Sequence, residues 1–170
     1  MPRALPSLGS LALLAALVVL LVTGLGEEDE PASEPARVTA TVVRTVDGDT
    51  VEARIEDEVE TVRYIGVDTP ESVKPDTPVE CYALRASHFN ERLVEGERVR
   101  LDFDAERRDV YGRLLAYVHV GDTFVNAELL RHGYATTLTI APNDSHAARF
   151  ARIEEVAARE GRGLWDACEV

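Results

Sequence analysis

Three β-rich segments follow one another between Val38 and Val67, and only tight turns separate them. In the first segment apolar residues alternate with threonines, which is the period of a half-buried strand. An Asp-Gly turn at 47–48 leads to the second segment, Thr50–Ile55, and the polar turn 56–58 leads to the third, Val59–Val67. The pattern predicts a meander of three strands at the start of the folded region.

The rest of the chain alternates predicted helices with two further strands. Apolar residues recur at helical spacing over 80–94, and strands are predicted at 99–103 and 114–120. A short helix is predicted at 126–131, and a final helix runs from the capping residues 142–145 to Gly161. Five strands with a helix between the third and the fourth is the element order of an OB-fold, a small Greek-key barrel that often binds nucleic acids or sugars. The predicted fold class is therefore mainly β with helices (α+β): a five-stranded OB-fold barrel with C-terminal helices.

The segment before the first strand has the composition of a targeting sequence. Arg3 is followed by 23 uncharged residues, 4–26. A membrane span needs roughly 20 apolar residues and the apolar part of a signal peptide about 7 to 15. A cleaved signal peptide and a retained N-terminal membrane anchor both fit, and a buried core helix is the remaining alternative. Residues 27–37 then form an acidic linker, and 38–170 form the folded domain. We expect an exported protein, either secreted or anchored on the outer face of the cell membrane.

The chain has two cysteines, Cys81 and Cys168. In an exported protein two cysteines suggest one disulfide, which would tie the C-terminal tail to the middle of the domain. Two unrelated buried thiols are the alternative.

The overall charge is strongly acidic. The chain has 18 basic and 31 acidic residues and a formal net charge of −13. This sign opposes binding of nucleic acid through a broad basic surface, so any site for a polyanion must be local. Lys74 is the only lysine, and all the other basic residues are arginine. We interpret the acidic surplus and the preference for arginine as adaptation to high salt, which points to a halophile.

Three polar segments fall at predicted strand ends and in adjoining loops, where ligand sites usually lie. They are VDGDTV at 46–51, RYIGVDTPE at 63–71 and DVYGR at 109–113. Each segment alone has a structural interpretation as a turn or a strand exit. Together they offer two carboxylates, Asp49 and Asp68, of the kind that Ca²⁺ prefers. Two acids are too few for a closed cage, so water and a substrate phosphate would complete the shell of a catalytic ion.

The same segments contain groups suited to phosphate chemistry. Arg63 and Arg113 could bind one phosphate and neutralise the charge that develops on its oxygens. Glu71 follows Asp68 by three residues and could hold or deprotonate an attacking water molecule. The alternative for each arginine is an ion pair with one of the acidic residues.

The DGDT, RYIGVDTPE and YGR segments, in this order and at these separations, resemble the staphylococcal nuclease (thermonuclease) family. The resemblance extends from about residue 39 to residue 165. It implies a five-stranded OB barrel with helices, one bound Ca²⁺ ion, and hydrolysis of phosphodiester bonds in DNA and RNA to leave 3′-phosphates.

The resemblance also divides the candidate site residues by role. It implies cation ligation by the side chains of Asp49 and Asp68 and by the backbone carbonyl of Thr69, catalysis by Arg63, Glu71 and Arg113, and contact of Tyr111 with the terminal phosphate of the substrate.

Two positions depart from the family pattern. Val110 stands where the family often has a lysine, and residues 136–141 contain none of the tyrosines that commonly stack on the base there. We therefore expect weaker substrate binding or a shifted base preference.

A non-enzymatic exported OB module that binds nucleic acid is the alternative function, and a structural domain with a surface ion-pair network is a third. We expect a monomer that contacts the membrane only through an uncleaved leader.

Overall fold

The computed structural model describes residues 37–73 and 78–169. The predicted leader 1–26 and linker residues 27–36 lie outside the described residues. In the described part of the chain no helix has the length and apolar character needed to cross a membrane.

Eight strands and four helices make up the described chain. The strands are β1 (Arg37–Thr45), β2 (Thr50–Ile55), β3 (Glu58–Tyr64), β4 (Gly66–Asp68), β5 (Arg98–Asp102), β6 (Leu114–Val120), β7 (Thr123–Phe124) and β8 (Thr136–Leu138). The helices are α1 (Ala83–Val94), α2 (Val125–Arg131), α3 (Ala147–Arg159) and α4 (Leu164–Ala167).

Five of these strands close into a barrel. They lie in the order β3-β2-β1-β5-β6, and a parallel pairing between β3 and β6 joins the two ends. Strand β1 pairs with β5 through its first half and with β2 through its second half, and the register shifts between Val42 and Arg44. Such an irregularity bends a strand, which lets β1 serve both sides of the barrel. The predicted fold class, mainly β with helices around a five-stranded OB barrel, is confirmed.

The alternating pattern of the sequence marks the face of each strand that points into the barrel. Inward positions of β1, β2, β3, β5 and β6 are filled by small and branched apolar side chains, each at most 3% exposed: Ala40, Val42, Val51, Ala53, Val62, Val99, Leu101, Ala116 and Val118. Burial of this surface is the main favourable term in folding of the barrel.

The predicted third strand, Val59–Val67, is wrong in its extent. β3 ends at Tyr64 and a separate short strand, β4, begins at Gly66, which has a φ of 79°. A Cβ atom at Gly66 would lie 2.7 Å from the ring of Phe150, so glycine is required both by the left-handed backbone and by this ring. β4 then leaves the barrel and pairs antiparallel with β8.

The segment before α1 is held by a covalent link. The helix begins at Ala83 rather than at residue 80, because Tyr82 has left-handed backbone geometry. Cys81 forms a disulfide with Cys168, which directly follows α4. The link therefore joins the entrance of α1 to the C-terminal end of the domain.

Candidate active site

Two cavities lie side by side and share Arg63 and Arg113 in their walls. The smaller cavity has a volume of about 90 Å³ and a polar lining drawn from the β1–β2 turn, β3, the end of β4 and Arg113. It brings together six residues predicted from the sequence, namely Asp49, Arg63, Asp68, Thr69, Glu71 and Arg113. Tyr111, the seventh, lines the larger cavity, which has a volume of about 340 Å³.

Asp49 is a buried carboxylate that accepts four polar contacts. Asp49 is only 4% exposed. Oδ1 accepts a hydrogen bond from the Thr50 hydroxyl at 3.1 Å and pairs with Arg63 Nη1 at 2.7 Å. Oδ2 accepts hydrogen bonds from the N–H and the hydroxyl of Thr69, at 2.7 and 2.9 Å. Burial raises the pKa of Asp49 to about 6, Arg63 and Thr69 act in the opposite direction, and the nearby Asp47 charge adds to the increase.

Arg63 joins the two candidate carboxylate ligands. Its Nη1 is 2.7 Å from Asp49 Oδ1, and its Nη2 is 2.7 Å from Asp68 Oδ1. Nη1 also donates to the carbonyl oxygen of Val67 at 2.9 Å. The Arg63 side chain is 14% exposed, whereas that of Asp68 is 53% exposed. The guanidinium is thus fixed in the wall of the cavity, and Asp68 forms its open side.

The turn that carries Asp49 is held from two sides. A Cβ atom at Gly48 would lie 2.6 Å from the Thr69 hydroxyl oxygen, so the glycine permits Thr69 to approach the turn. Asn90, a fully buried residue of α1, donates to the carbonyl oxygen of Asp47 at 3.1 Å and accepts a hydrogen bond from the Tyr64 hydroxyl. The sequence analysis missed Asn90. The available signal was a polar side chain on the apolar face of a predicted helix.

Glu71 is half-buried in the lining of the polar cavity, and its backbone is hydrogen-bonded to Glu80. The N–H of Glu71 donates to Glu80 Oε2 at 2.8 Å, and the N–H of Glu80 donates to the carbonyl oxygen of Glu71 at 3.0 Å. Glu71 Oε1 accepts the N–H of Val73 at 2.9 Å. These bonds hold the backbone of Glu71, which lines the polar cavity. The contribution of Glu80 was not predicted.

Arg113 is oriented by Asp109. The Nε and the N–H of Arg113 donate to the Asp109 carboxylate at 2.7 and 2.9 Å, and the N–H of Tyr111 donates to it at 3.0 Å. Burial alone would raise the pKa of Asp109, but Arg113 holds this pKa below its usual range. Arg63 and Arg113 therefore both form ion pairs, as the alternative interpretation of the two arginines predicted, and both also line the polar cavity. Asp109 lies within a motif that the sequence analysis selected, yet its role was not predicted.

The donor set around the polar cavity fits an open cation site. Within residues 37–73 and 78–169, no group of three or more His, Cys, Asp or Glu side chains could hold a metal ion. Asp49 and Asp68 nevertheless supply two carboxylates that contact the same guanidinium, and a buried carboxylate is stabilised by added positive charge. Hard oxygen donors of this kind suit Ca²⁺, with water and substrate as further ligands.

The larger cavity has mainly aliphatic walls. Leu115, Leu138 and Ile140 line it, together with the strongly exposed Val110 and Tyr111. Leu138 and Ile140 belong to the segment in which the sequence lacks aromatic residues. A planar group bound beside Leu138 and Ile140 would contact aliphatic side chains, and among the described residues Tyr111 is the one aromatic residue in the lining of this cavity.

An OB barrel that gathers the carboxylates of Asp49, Asp68 and Glu71 and two arginines at one cavity has groups suited to hydrolysis of a phosphodiester. Residues 61–167 match the protein family described as Staphylococcal nuclease homologue. The chain belongs to the staphylococcal nuclease family.

Individual relatives agree with this assignment. The Thermonuclease of Staphylococcus intermedius is 37% identical over 161 residues, which cover 93% of this chain and 96% of that protein. The Thermonuclease of Staphylococcus hyicus is 34% identical over 161 residues, covering 92% and 95%. The SPbeta prophage-derived endonuclease YokF of Bacillus subtilis is 41% identical over 130 residues, covering 75% of this chain and 44% of that protein.

Proposed function

We propose that this protein is a Ca²⁺-dependent nuclease that hydrolyses phosphodiester bonds in DNA and RNA and leaves 3′-phosphates. The observation that carries the proposal is the shared polar cavity, which joins Asp49 and Asp68 to Arg63, Glu71 and Arg113. Family membership and relatives named thermonuclease and endonuclease support the nuclease class. The resemblance of the site motifs supports the cation and the products.

The two arginines would bind the scissile phosphate. Guanidinium groups donate paired hydrogen bonds to phosphate oxygens and stabilise the extra negative charge of the transition state. Arg63 is held by Asp49 and Asp68, and Arg113 is held through its Nε by Asp109. Because both are held before substrate arrives, little reorganisation is needed when the phosphate binds.

Asp49, Asp68 and the carbonyl group of Thr69 would hold the cation. When bound, Ca²⁺ supplies Lewis-acid polarisation of a phosphoryl oxygen. Glu71 would accept a proton from the attacking water as its oxygen bonds to phosphorus. The P–O5′ bond would then break and leave the phosphate on the 3′ oxygen. The 5′ oxygen would keep the electron pair of that bond and take a proton from solvent, so that it leaves as a hydroxyl.

The proposal includes the organisation and location of the chain. Residues 1–26 would be a signal peptide or a membrane anchor, 27–37 an acidic linker and 38–170 the nuclease domain. The enzyme would act as a monomer outside the cell, secreted or anchored on the outer face of the membrane, in a high-salt environment. N-terminal sequencing of the protein from cells and from medium separates a cleaved leader from a retained one.

The central test uses residues 34–170, which form one compact unit. This fragment is incubated with single-stranded DNA or RNA, with Ca²⁺ or a chelator, over a range of salt concentrations. We expect cleavage that requires Ca²⁺ and leaves 3′-phosphate ends. Arg113→Ala should abolish cleavage without unfolding the domain, whereas Arg54→Ala, on an exposed position of β2, should retain it. Retained activity in Arg113→Ala would remove the assigned role.

The second candidate is a non-enzymatic exported OB module that binds nucleic acid. The absence of aromatic residues from 136–141, the segment that contributes Leu138 and Ile140 to the larger cavity, favours it over an efficient nuclease. Binding of oligonucleotides without cleavage at any salt concentration, by a demonstrably folded fragment, would select this candidate.

A further inference from the structure

A third cavity, of about 430 Å³, lies on the helical side of the domain and has none of the candidate active-site residues in its lining. We call it the arginine groove. It is lined by Arg131, Arg149, Arg152, Ile153, Val156 and Arg162. Four of these residues are arginines and none is acidic, although the chain as a whole carries a net charge of −13. The groove is therefore a basic patch on an acidic protein.

The helical repeat explains why these side chains lie together. Residues 149, 152, 153 and 156 follow the i, i+3, i+4, i+7 spacing that forms one face of a helix, here α3. Arg131 comes from the last turn of α2, and Arg162 follows the end of α3. Arg162 Nη1 donates to the carbonyl oxygen of Arg131 at 2.8 Å, so these two basic residues are held next to each other.

Two of the four arginines lack a carboxylate partner. Arg131 pairs with Glu128, and Arg162 pairs with Glu160. The Arg149 guanidinium lies 5.1 Å from the centre of the Phe124 ring, and within the described residues no acidic side chain pairs with Arg149 or Arg152. The pKa of His132 is lowered, first by burial and then by the charges of Arg131 and Arg162, as expected next to positive charge.

We infer that the arginine groove binds the phosphodiester backbone of single-stranded nucleic acid, as a contact separate from the scissile phosphate. Guanidinium groups match phosphate oxygens in a bidentate manner, and the methyl groups of Ile153 and Val156 offer an apolar floor for sugars or bases. An acidic protein repels a polyanion over most of its surface, so each local basic contact has a large effect on binding. The inference rests on the proposed nuclease function, which supplies the ligand.

The test is binding of fluorescent single-stranded DNA, measured by anisotropy in the presence of a chelator so that no cleavage occurs. A 30-mer and a trimer are titrated over a salt series with the 34–170 fragment and with Arg149→Gln/Arg152→Gln. The matched control, Arg54→Gln/Arg98→Gln, removes the same charge from exposed positions of β2 and β5, outside the groove.

We expect the groove variant to raise the Kd of the 30-mer about tenfold and to reduce the salt slope by about 1.4, since each phosphate contact contributes about 0.7 for single strands. The preference for the 30-mer over the trimer should fall, and the control should keep that preference. Arg149→Lys/Arg152→Lys retains the charge, so it should retain the salt slope and lose only part of the affinity. This variant also serves if the glutamine variant does not fold.

Several outcomes would overturn the inference. One is a groove variant with the same affinity and salt slope as the control. Another is equal weakening for the trimer and the 30-mer. A third is a groove that binds inorganic phosphate while the groove variant keeps the affinity of the unsubstituted fragment for DNA. A fourth is a groove that binds an acidic peptide and does not bind DNA. Absence of cleavage in the central test, together with groove-dependent DNA binding, would reject the nuclease proposal and keep the groove as a nucleic-acid site.

Discussion

At the scale of single residues, the two candidate phosphate-binding arginines are held in different ways. Arg63 is held by Asp49 and Asp68, which are also the candidate cation ligands. Arg113 is held by Asp109, which does not line the polar cavity. Substitution of Asp109 therefore changes the orientation of one arginine without altering a candidate ligand.

Asp109→Asn should lower kcat about tenfold and change KM less. The variant loses the charge that holds Arg113, and a hydrogen bond to a charged group contributes about 1.5–3 kcal/mol, where about 1.4 kcal/mol is a factor of ten in rate. Steady-state kinetics on a short oligonucleotide measures both constants. Glu60→Gln is the matched control, because Glu60 pairs with Arg108 at 2.6 Å and neither residue lines the polar cavity. An unchanged kcat in Asp109→Asn would contradict the positioning role.

The aliphatic wall of the larger cavity can be tested by adding a ring. Leu138→Tyr should lower KM for short oligonucleotides severalfold, because stacking of one base on an aromatic side chain contributes about 1–3 kcal/mol. Leu138 is already 39% exposed, so the larger ring fits without repacking of the core. Thr139→Tyr is the control, since Thr139 is exposed and does not line the cavity. Equal effects of the two substitutions would exclude base contact at Leu138.

At the scale of secondary-structure elements, the loop after β5 fixes the start of α3. Asp104 accepts hydrogen bonds from the Tyr117 hydroxyl at 2.8 Å and from the hydroxyl and N–H of Ser145 at 2.8 and 3.1 Å. This attachment matters for the site because Phe150 of α3 packs against Gly66, at the start of the strand that ends in Asp68.

The Asp104 contacts predict a particular loss of stability in acid. Burial alone would raise the pKa of Asp104, but the hydrogen bonds from Ser145, Tyr117 and Ala105 hold it below its usual range. The carboxylate thus contributes stability that is fully present above the unfolded pKa of about 3.9 and is lost as pH falls through the lower folded pKa. Asp104→Asn lacks this contribution.

Urea unfolding at several pH values between 7 and 2 measures the difference between the two proteins. We expect wild type to be more stable than Asp104→Asn at pH 7 and the difference to shrink in acid. Asp122→Asn, in the exposed turn between β6 and β7, controls for loss of one acidic residue. A difference between wild type and Asp104→Asn that stays constant over the whole range would contradict this account.

At the scale of the whole molecule, the disulfide closes a large part of the domain. Cys81 and Cys168 are 87 residues apart. In the chain-entropy model a loop of this length contributes about 4 to 5 kcal/mol to the free energy of unfolding. Urea unfolding with and without reductant should show a loss of this size. Cys81→Ser/Cys168→Ser should have the same free energy of unfolding as the reduced protein, and reductant should not change it. A wild-type free energy of unfolding that does not respond to reductant would refute the prediction.

The net charge of −13 predicts a response of stability to salt. Salt screens repulsion among the acidic groups of the folded state, so Tm should rise as KCl is increased from low ionic strength. Asp57→Asn/Glu58→Gln removes two neighbouring exposed acids, one from the β2–β3 turn and one from the start of β3, and should reduce the rise. A Tm independent of salt would contradict the hypothesis of adaptation to high salt.

The barrel, and the residues that the structure gathers at the polar cavity, could be predicted from the sequence. Residues such as Val51 and Ala53 alternate with polar neighbours because one face of β2 is buried and the other is not, and that period is visible locally. The polar motifs at strand ends named six residues that the structure brings to one cavity. The helix between the third and fourth barrel strands was also visible, because its apolar face repeats with the helical period.

Local patterns in the sequence were sufficient to predict the barrel class, the acidic charge and the chemistry available at the strand ends. The tertiary structure decided where β3 stops, since Gly66 must accommodate a ring from α3, and it decided that Asn90 supports the turn before Asp49. It also assembled the arginine groove from α2, α3 and the segment that follows. These features depend on contacts between residues far apart in the chain, and a local period of 2 or 3.6 residues records which face is buried but not what it is buried against.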